Sequence, residues 1–403
     1  MLAPCVCAVE TRTWMSRKGG TIEAQLGSMQ GDSVILIGKD AKEIKLKIVD
    51  LSLADRQHLV EAGGADAAII TSGKHGLVEK EVRLDASTFK RLDGKLKFPD
   101  GPSEGFELLE TPHFLIGKAG KIRPHAVAET AERLWHGMAF EHMNFRQDWG
   151  DKRQFILLVE DRYVYSGLGK WYANFLKLAM DQGNSMAVTN TWEKTGSTTI
   201  AIPEKMITQY NLSGRALVFN VKDAAPYHKD LAPFPIHGIA GLLLGRQLGG
   251  VTSFGAEGYF AITTGHAYYK EIRLAGKTET NLLTVAGSMK DEISSKRGFE
   301  DGTSWAKTLR PLVRSDKVGV KLAPMFRWKP EDLNPERLVL IYSFAYYMQS
   351  DLKRLSAFAS MVRRIETSKQ IPAPEEIAKI FGFDTVDALE KDWADFIKEG
   401  DFK

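Results

Sequence analysis

Cysteine is almost missing from this 403-residue chain: there are two, Cys5 and Cys7, both at the extreme N-terminus. A body without cysteine excludes thiol catalysis and thiolate metal sites, and it needs no oxidative folding. Long apolar runs are missing as well. No stretch approaches the roughly 18–20 apolar residues of a membrane helix, so no transmembrane segment is expected. Charge of one sign is nowhere concentrated: 54 Lys and Arg against 51 Asp and Glu leave a net charge of +3, and the basic residues are spread along the chain. A nucleic-acid partner would call for a clustered basic face, and none is present. The signatures G-x-S-x-G and G-x-x-x-x-G-K-[ST] do not occur, which excludes a nucleophile elbow and a Walker phosphate loop. The run GLLLGRQLGG at 241–250 lacks the strand-then-turn setting of a nucleotide-binding loop.

What remains is ordinary globular composition, 43% hydrophobic and 26% charged, at a length that allows two or three domains. The first eight residues, MLAPCVCA, read as the tail of a secretory signal, with Val6 and Ala8 at the −3 and −1 positions of a small-residue cleavage site. LAPC also approximates a lipoprotein box ending at Cys5, against which Pro4 is a poor fit. A plain N-terminal tail is the alternative. Export to a bacterial periplasm or the exterior is the expectation, with a mature chain free of cysteine.

Residues 9–62 show short strands alternating apolar and polar positions, divided by QGD and GKD turns and closed by the helix SLADRQHLVEAG. Ser52 is placed to cap that helix, with Asp55 three residues on as a capping-box variant. The opening ETRTW, the hairpin GTIEAQLGSMQGDSVIL, the strand EIKLKIVDLS and the helix bearing Asp55 and Arg56 resemble the Sla-homology domain of the first type. That resemblance implies a small SH3-like β-barrel that binds short peptides and catalyses nothing. Residues 63–104 read as a linker with some strand character, in AAIITS and VEKEVRL, and the boundary falls at PDGPSEG.

From residue 105 to 403 an α+β pattern begins. FELLETPHFLIG and KRQFILLVED are strands, GRALVFNVKD is another, and HAVAETAERLWHGMAFEHM is an amphipathic helix. Residues 236–258, IHGIAGLLLGRQLGGVTSFGAEG, then come close to a zinc-protease motif. H-E-x-x-H on a helix sets two imidazoles one turn apart, with a carboxylate between them as general base. Here His237 keeps the first position, but Gly238 stands where the base would be and Gly241 where the second histidine would be. The ordered pieces TPHF, AERLW, this remnant helix, AEGYFA with Glu257, Tyr342 and the ending FGF…ALEKDWADF resemble a gluzincin metallopeptidase domain. They span residues 106–400. The resemblance implies a mostly helical α+β domain with Glu257 as the third ligand and Tyr342 as an oxyanion-steadying residue.

Without base and second ligand, the resemblance implies a protease fold that has lost its chemistry. Neither metal nor cofactor is expected. The zinc alternative keeps His237 and Glu257, with His266 as a third ligand. Against it, and preferred, His237 reads as a core histidine, Glu257 as a helix brace or partner of Arg246, and Tyr342 as core packing. Gly238, Gly241 and Gly245 share one helix face and allow a neighbour to approach closely, at about 1 kcal/mol each in helix propensity. The function expected is non-catalytic binding of peptides or cell-envelope components. An active zinc hydrolase with a non-standard ligand set and a structural envelope protein are the alternatives. The sequence names neither partner nor oligomeric state.

Overall fold

Alternating strands and tight turns fold the N-terminal segment into an antiparallel meander of β1 (Thr11–Met15), β2 (Thr21–Gln30), β3 (Ser33–Gly38) and β4 (Glu43–Lys47). The computed structural model describes residues 10–73, 75–142, 145, 151–249, 257–280, 297–400 and 402. The expected leader, residues 1–8 with Cys5 and Cys7, lies outside the described residues. Gly31, at φ 61°, supplies the left-handed position in the β2–β3 turn. The side chains of Trp14, Ala24, Val34, Leu36, Ile48, Leu51 and Leu59 form a small core under the sheet. The sheet is open: β1 and β4 are its two edges, and a single bridge, Ser16 to Leu51, ties the far end back to β1. Closure into a barrel, which the sequence suggests, is not seen among the described residues.

Helix α1 (Leu53–Gly63) starts where Ser52 accepts the Asp55 N–H at 3.2 Å. The Asp55 carboxylate does not reach back to the Ser52 N–H. It accepts instead from the Ser52 hydroxyl, the Met15 N–H and Arg12, each at 2.8 Å. Arg56, fully buried, donates to the carbonyls of Val49, Leu51 and Ser72 at 2.6–3.0 Å, fixing the chain on both sides of the helix. The AAIITS run forms a 3₁₀ turn, Ala67–Thr71, led by the Asp66 side chain, and VEKE forms a short helix, α2 (Val78–Glu81). Both were expected as strand; the Asp66 cap overrides β-propensity in the first, and in α2, which has no side-chain cap, tertiary contacts of Glu79 do so.

The second sheet has six strands in the order β5-β6-β7-β8-β10-β9. They are β5 (Lys90–Leu96), β6 (Phe106–Glu110), β7 (Phe114–Ala119), β8 (Arg153–Val159), β9 (Ser197–Ala201) and β10 (Leu212–Asn220). The central pairs β7–β8 and β8–β10 are parallel and the outer pairs antiparallel. PDGPSEG is the connection of the β5–β6 hairpin, so the sheet starts at Lys90, upstream of the boundary placed there. The continuous apolar run of β8 reflects burial on both faces. Phe155, Leu157 and Val159 pack under α4 (Arg162–Leu178), near α5 (Gln182–Thr191) and α6 (Glu204–Tyr210). Ile156 and Leu158 point into the larger core beneath α3 (His125–Glu141) and α7 (Pro233–Gln247).

That core continues into α8 (Tyr259–Ala275), α9 (Trp305–Arg314), α10 (Leu322–Phe326), α11 (Pro335–Met348), α12 (Leu352–Ser368), α13 (Pro374–Ile380) and α14 (Val386–Glu399). The closing tryptophan, Trp393, is fully buried against Phe344 and donates to Ser343 Oγ at 3.2 Å. The protein is thus mixed α+β with two sheets. Among the described residues no helix is long and apolar enough to cross a membrane.

Candidate functional site

Helix α7 begins with Pro233 and Pro235 in its first turn, where a missing N–H costs nothing. One turn in, His237 Nδ1 lies 2.9 Å from Oε2 of Glu271, a fully buried carboxylate on α8. The other Glu271 oxygen accepts from the Glu279 N–H at 2.8 Å and Thr280 Oγ1 at 3.3 Å. The edge of Tyr268 covers the imidazole at 4.5 Å, and its hydroxyl donates to the Thr280 carbonyl at 3.0 Å. His237 is therefore held by a carboxylate that sequence reasoning did not single out.

The helices α7 and α8 run antiparallel: His237 meets Glu271, and Gly245 meets Tyr259, whose hydroxyl would lie 3.0 Å from a Cβ at 245. This orientation separates the two residues expected to share a metal. Glu257 is exposed in the turn before α8, fourteen residues from Glu271, or about 20 Å along the helix axis. Among the described residues it makes no salt bridge, so the expected pairing with Arg246 is not formed. Gly238 has no space beside it: a Cβ would lie 2.8 Å from the Phe219 ring of β10. Gly241 is looser, its nearest neighbour being Ala267 Cβ at 3.8 Å. The residues present do not fit a gluzincin zinc ion, because His237 lies beside the Glu271 end of α8 while Glu257 precedes its other end, and Gly238 and Gly241 offer no side-chain donor.

His266 does not join them. It faces away from α7, fully buried, in a second polar cluster. Lys270, one turn on, donates to Glu79 Oε1 of α2 and Glu141 Oε2 of α3, both at 2.6 Å, with all three side chains at 5% exposure or less. Gly137 exists because the Glu79 side chain occupies the space a Cβ would need. Burial opposes the Lys270 charge, yet the two carboxylates prevail and raise its pKa. Burial, with Glu79 adding repulsion, pushes Glu141 up to about 7 against the pull of Lys270. His142 is held down at about 3 by burial and the Lys270 charge, and His266 is also held well below the usual histidine range by burial, Lys270 and His142. Neither histidine makes a hydrogen bond of good geometry. Phe358 of α12 lies against both rings, at 5.1 and 6.1 Å.

A third constellation went unassigned in the sequence. The turn between β6 and β7 presents Thr111 and His113 to Glu132 of α3. One Glu132 oxygen accepts from Thr111 Oγ1 at 2.6 Å and the His113 N–H at 2.9 Å, and the other meets His113 Nδ1 at 2.6 Å. Burial alone would raise the Glu132 pKa; the bonds and charge of His113, with Thr111, outweigh it and hold it low. The His113 ring stacks flat on Trp135, centroids 3.4 Å apart. His136, one turn after Glu132, stands edge-on to His113 at 5.7 Å. One ligand atom from each of His113, Glu132 and His136 lies within 4.8 Å of the others. The E-x-x-x-H spacing on an amphipathic helix was the available signal; the turn histidine could be added only once the hairpin was folded.

Tyr342 is fully buried among Trp305, Tyr346 and Phe402, with ring centroids 5.4–6.0 Å away, and is a core residue. Open concave surface occurs elsewhere, as a cleft of about 480 Å³ lined by Leu312, Lys317, Trp328, Asn334, Arg337 and Leu340. The Arg337 guanidinium lies 5.1 Å over the Trp328 ring and donates to the Asp332 carbonyl at 2.6 Å. Compared with known proteins, the chain matches no family model, no curated protein and no solved structure.

Proposed function

We propose that this chain is a non-catalytic, exported peptidase-like protein that binds peptides or envelope components, combining a small SH3-like unit with a degenerate gluzincin-like one. The observation that carries this reading is the closure of α7. His237 is tied to Glu271, and Phe219 fills the space where a general base at 238 would have to stand. With His237 committed to Glu271 and Glu257 about 20 Å away along the axis of α8, the ligand set that would hold a metal-bound water is not assembled. Export rests on the signal-like residues 1–8.

The cleft beside Trp328 is the binding surface this reading favours. An aromatic face, a hydrogen-bonding Asn334 and the cations Lys317 and Arg337, against one acidic residue, Glu336, in the same lining, suit an extended peptide bearing carboxylates. Titrating the protein with a synthetic acidic peptide, followed by calorimetry, tests this. Saturable binding that Trp328→Ala abolishes is expected, together with no hydrolysis of casein when zinc is supplied. Casein hydrolysis that disappears in His237→Ala would instead establish the zinc-hydrolase alternative.

A further inference from the structure

We propose that His113, Glu132 and His136 form a binding site for one divalent transition-metal ion, with zinc the physiological candidate, that pins the β6–β7 turn to α3. Two imidazoles and a carboxylate are a familiar donor set for zinc. The three atoms lie within 4.8 Å of one another, so a common centre is at most about 2.8 Å (4.8/√3) from each. Shifts below an ångström then reach the Zn–N and Zn–O distances of about 2.0–2.2 Å.

The surroundings point the same way. His136 makes no hydrogen bond among the described residues, and its Nδ1 is buried without a partner. A buried histidine nitrogen without a partner calls for an explanation, and an unfilled ligand position is one. His113 and Glu132, by contrast, already hold each other at 2.6 Å. Glu132 is anchored further by Thr111 Oγ1 and the His113 N–H, so it is oriented before any ion arrives. The ring of His113 is fixed by its stack on Trp135. The β1–β2 turn covers the site from the other side. At Gly19, where φ is 84°, an added Cβ would approach His136 Nδ1 to 3.3 Å. On metal binding the metal takes the place of the proton between His113 Nδ1 and Glu132, and the neutral imidazole carries that proton on Nε2 instead, with water in the remaining position. This site is separate from α7, so metal content alone would say nothing about chemistry at His237.

The test uses the untagged full chain, stripped with chelator and titrated with zinc chloride by calorimetry in two buffers of different ionisation enthalpy. Metal content is measured in parallel by mass spectrometry. One equivalent of zinc is expected, lost in His136→Ala and kept in His237→Ala. His136→Ala removes none of the Glu132–Thr111–His113 partners, and circular dichroism checks that it folds; Glu132→Gln, checked the same way, is the stricter variant. Absence of saturable zinc binding at micromolar concentration would overturn the site, as would an equivalent that survives His136→Ala. Zinc lost in His237→Ala but not in His136→Ala would overturn both this site and the non-catalytic reading of α7.

Discussion

At position 238 one methyl group distinguishes a closed helix from an open one. A Cβ there would press on the Phe219 ring at 2.8 Å, while at position 241 it would touch only Ala267 at an ordinary 3.8 Å. Alanine gains about 1 kcal/mol over glycine in a helix interior, and overpacking a tight core costs about 1–3 kcal/mol. Gly241→Ala should therefore stabilise by about 1 kcal/mol and Gly238→Ala should be neutral to destabilising by about 2 kcal/mol, as read from urea unfolding. Equal gains from both would mean that α7 does not rest on β10 as described. Single residues were legible in the sequence only in part. His237 and the glycines stand out by motif, and the reading of Tyr342 as core matches the geometry, whereas of the three glycines only Gly238, against β10, and Gly245, against Tyr259, are closely approached. Glu271 could not be found this way. Its pairing with His237 depends on α7 and α8 running antiparallel, which no local pattern encodes.

At the scale of the element, α8 carries two buried polar faces, Tyr268 and Glu271 toward α7, and His266 and Lys270 toward α2 and α3. Removing Lys270 strands two buried carboxylates, so Lys270→Met should cost about 3–5 kcal/mol. Glu79→Gln leaves a balanced Lys270–Glu141 pair and should be far milder. Equal losses in the two variants would show that the cluster is not organised around the lysine. The same face sets a pH response. His142 is neutral in the fold down to about 3, whereas unfolded histidine takes up its proton near 6.5. Its folded pKa is depressed, so the unfolded chain binds more protons between those limits and stability falls as pH drops from 6.5. Glu141 has the opposite sign: its raised folded pKa makes stability fall as pH rises toward 7. His142→Phe should remove one proton from the acid-side slope, about 1.4 kcal/mol per pH unit between pH 4 and 6. An unchanged slope would mean that His142 is not buried and neutral. Strands β8 and β10 and helix α3 were readable from periodicity, whereas FELLETPHFLIG, read as one strand, is the β6–β7 hairpin, turned at Thr111–His113. The helical turn α2 was not, because Glu79 is placed by a lysine 191 residues away.

For the whole molecule, α2 is the joint between the small sheet and the large core. Arg17 of the small unit holds Glu81 in a two-bond pair at 2.6 and 2.8 Å, and Arg133 of α3 donates to the carbonyls of Glu79 and Val82 at 3.1 and 2.8 Å. Gly19 of the β1–β2 turn lies against Val82 and His136, and Leu53 of α1 belongs to the large core. The exposed Arg17–Glu81 pair contributes about 1 kcal/mol at most, so the coupling rests on Lys270 and the apolar contacts rather than on surface charge. If that is how the two units are joined, a change buried in α8 must be felt in a sheet it does not touch. Amide hydrogen exchange of Lys270→Met should show protection lost in β2 and β3 together with β8, because opening α2 uncovers both units. Protection that falls in β8 alone would show two independently opening units, and α2 would then be a tether and not a joint.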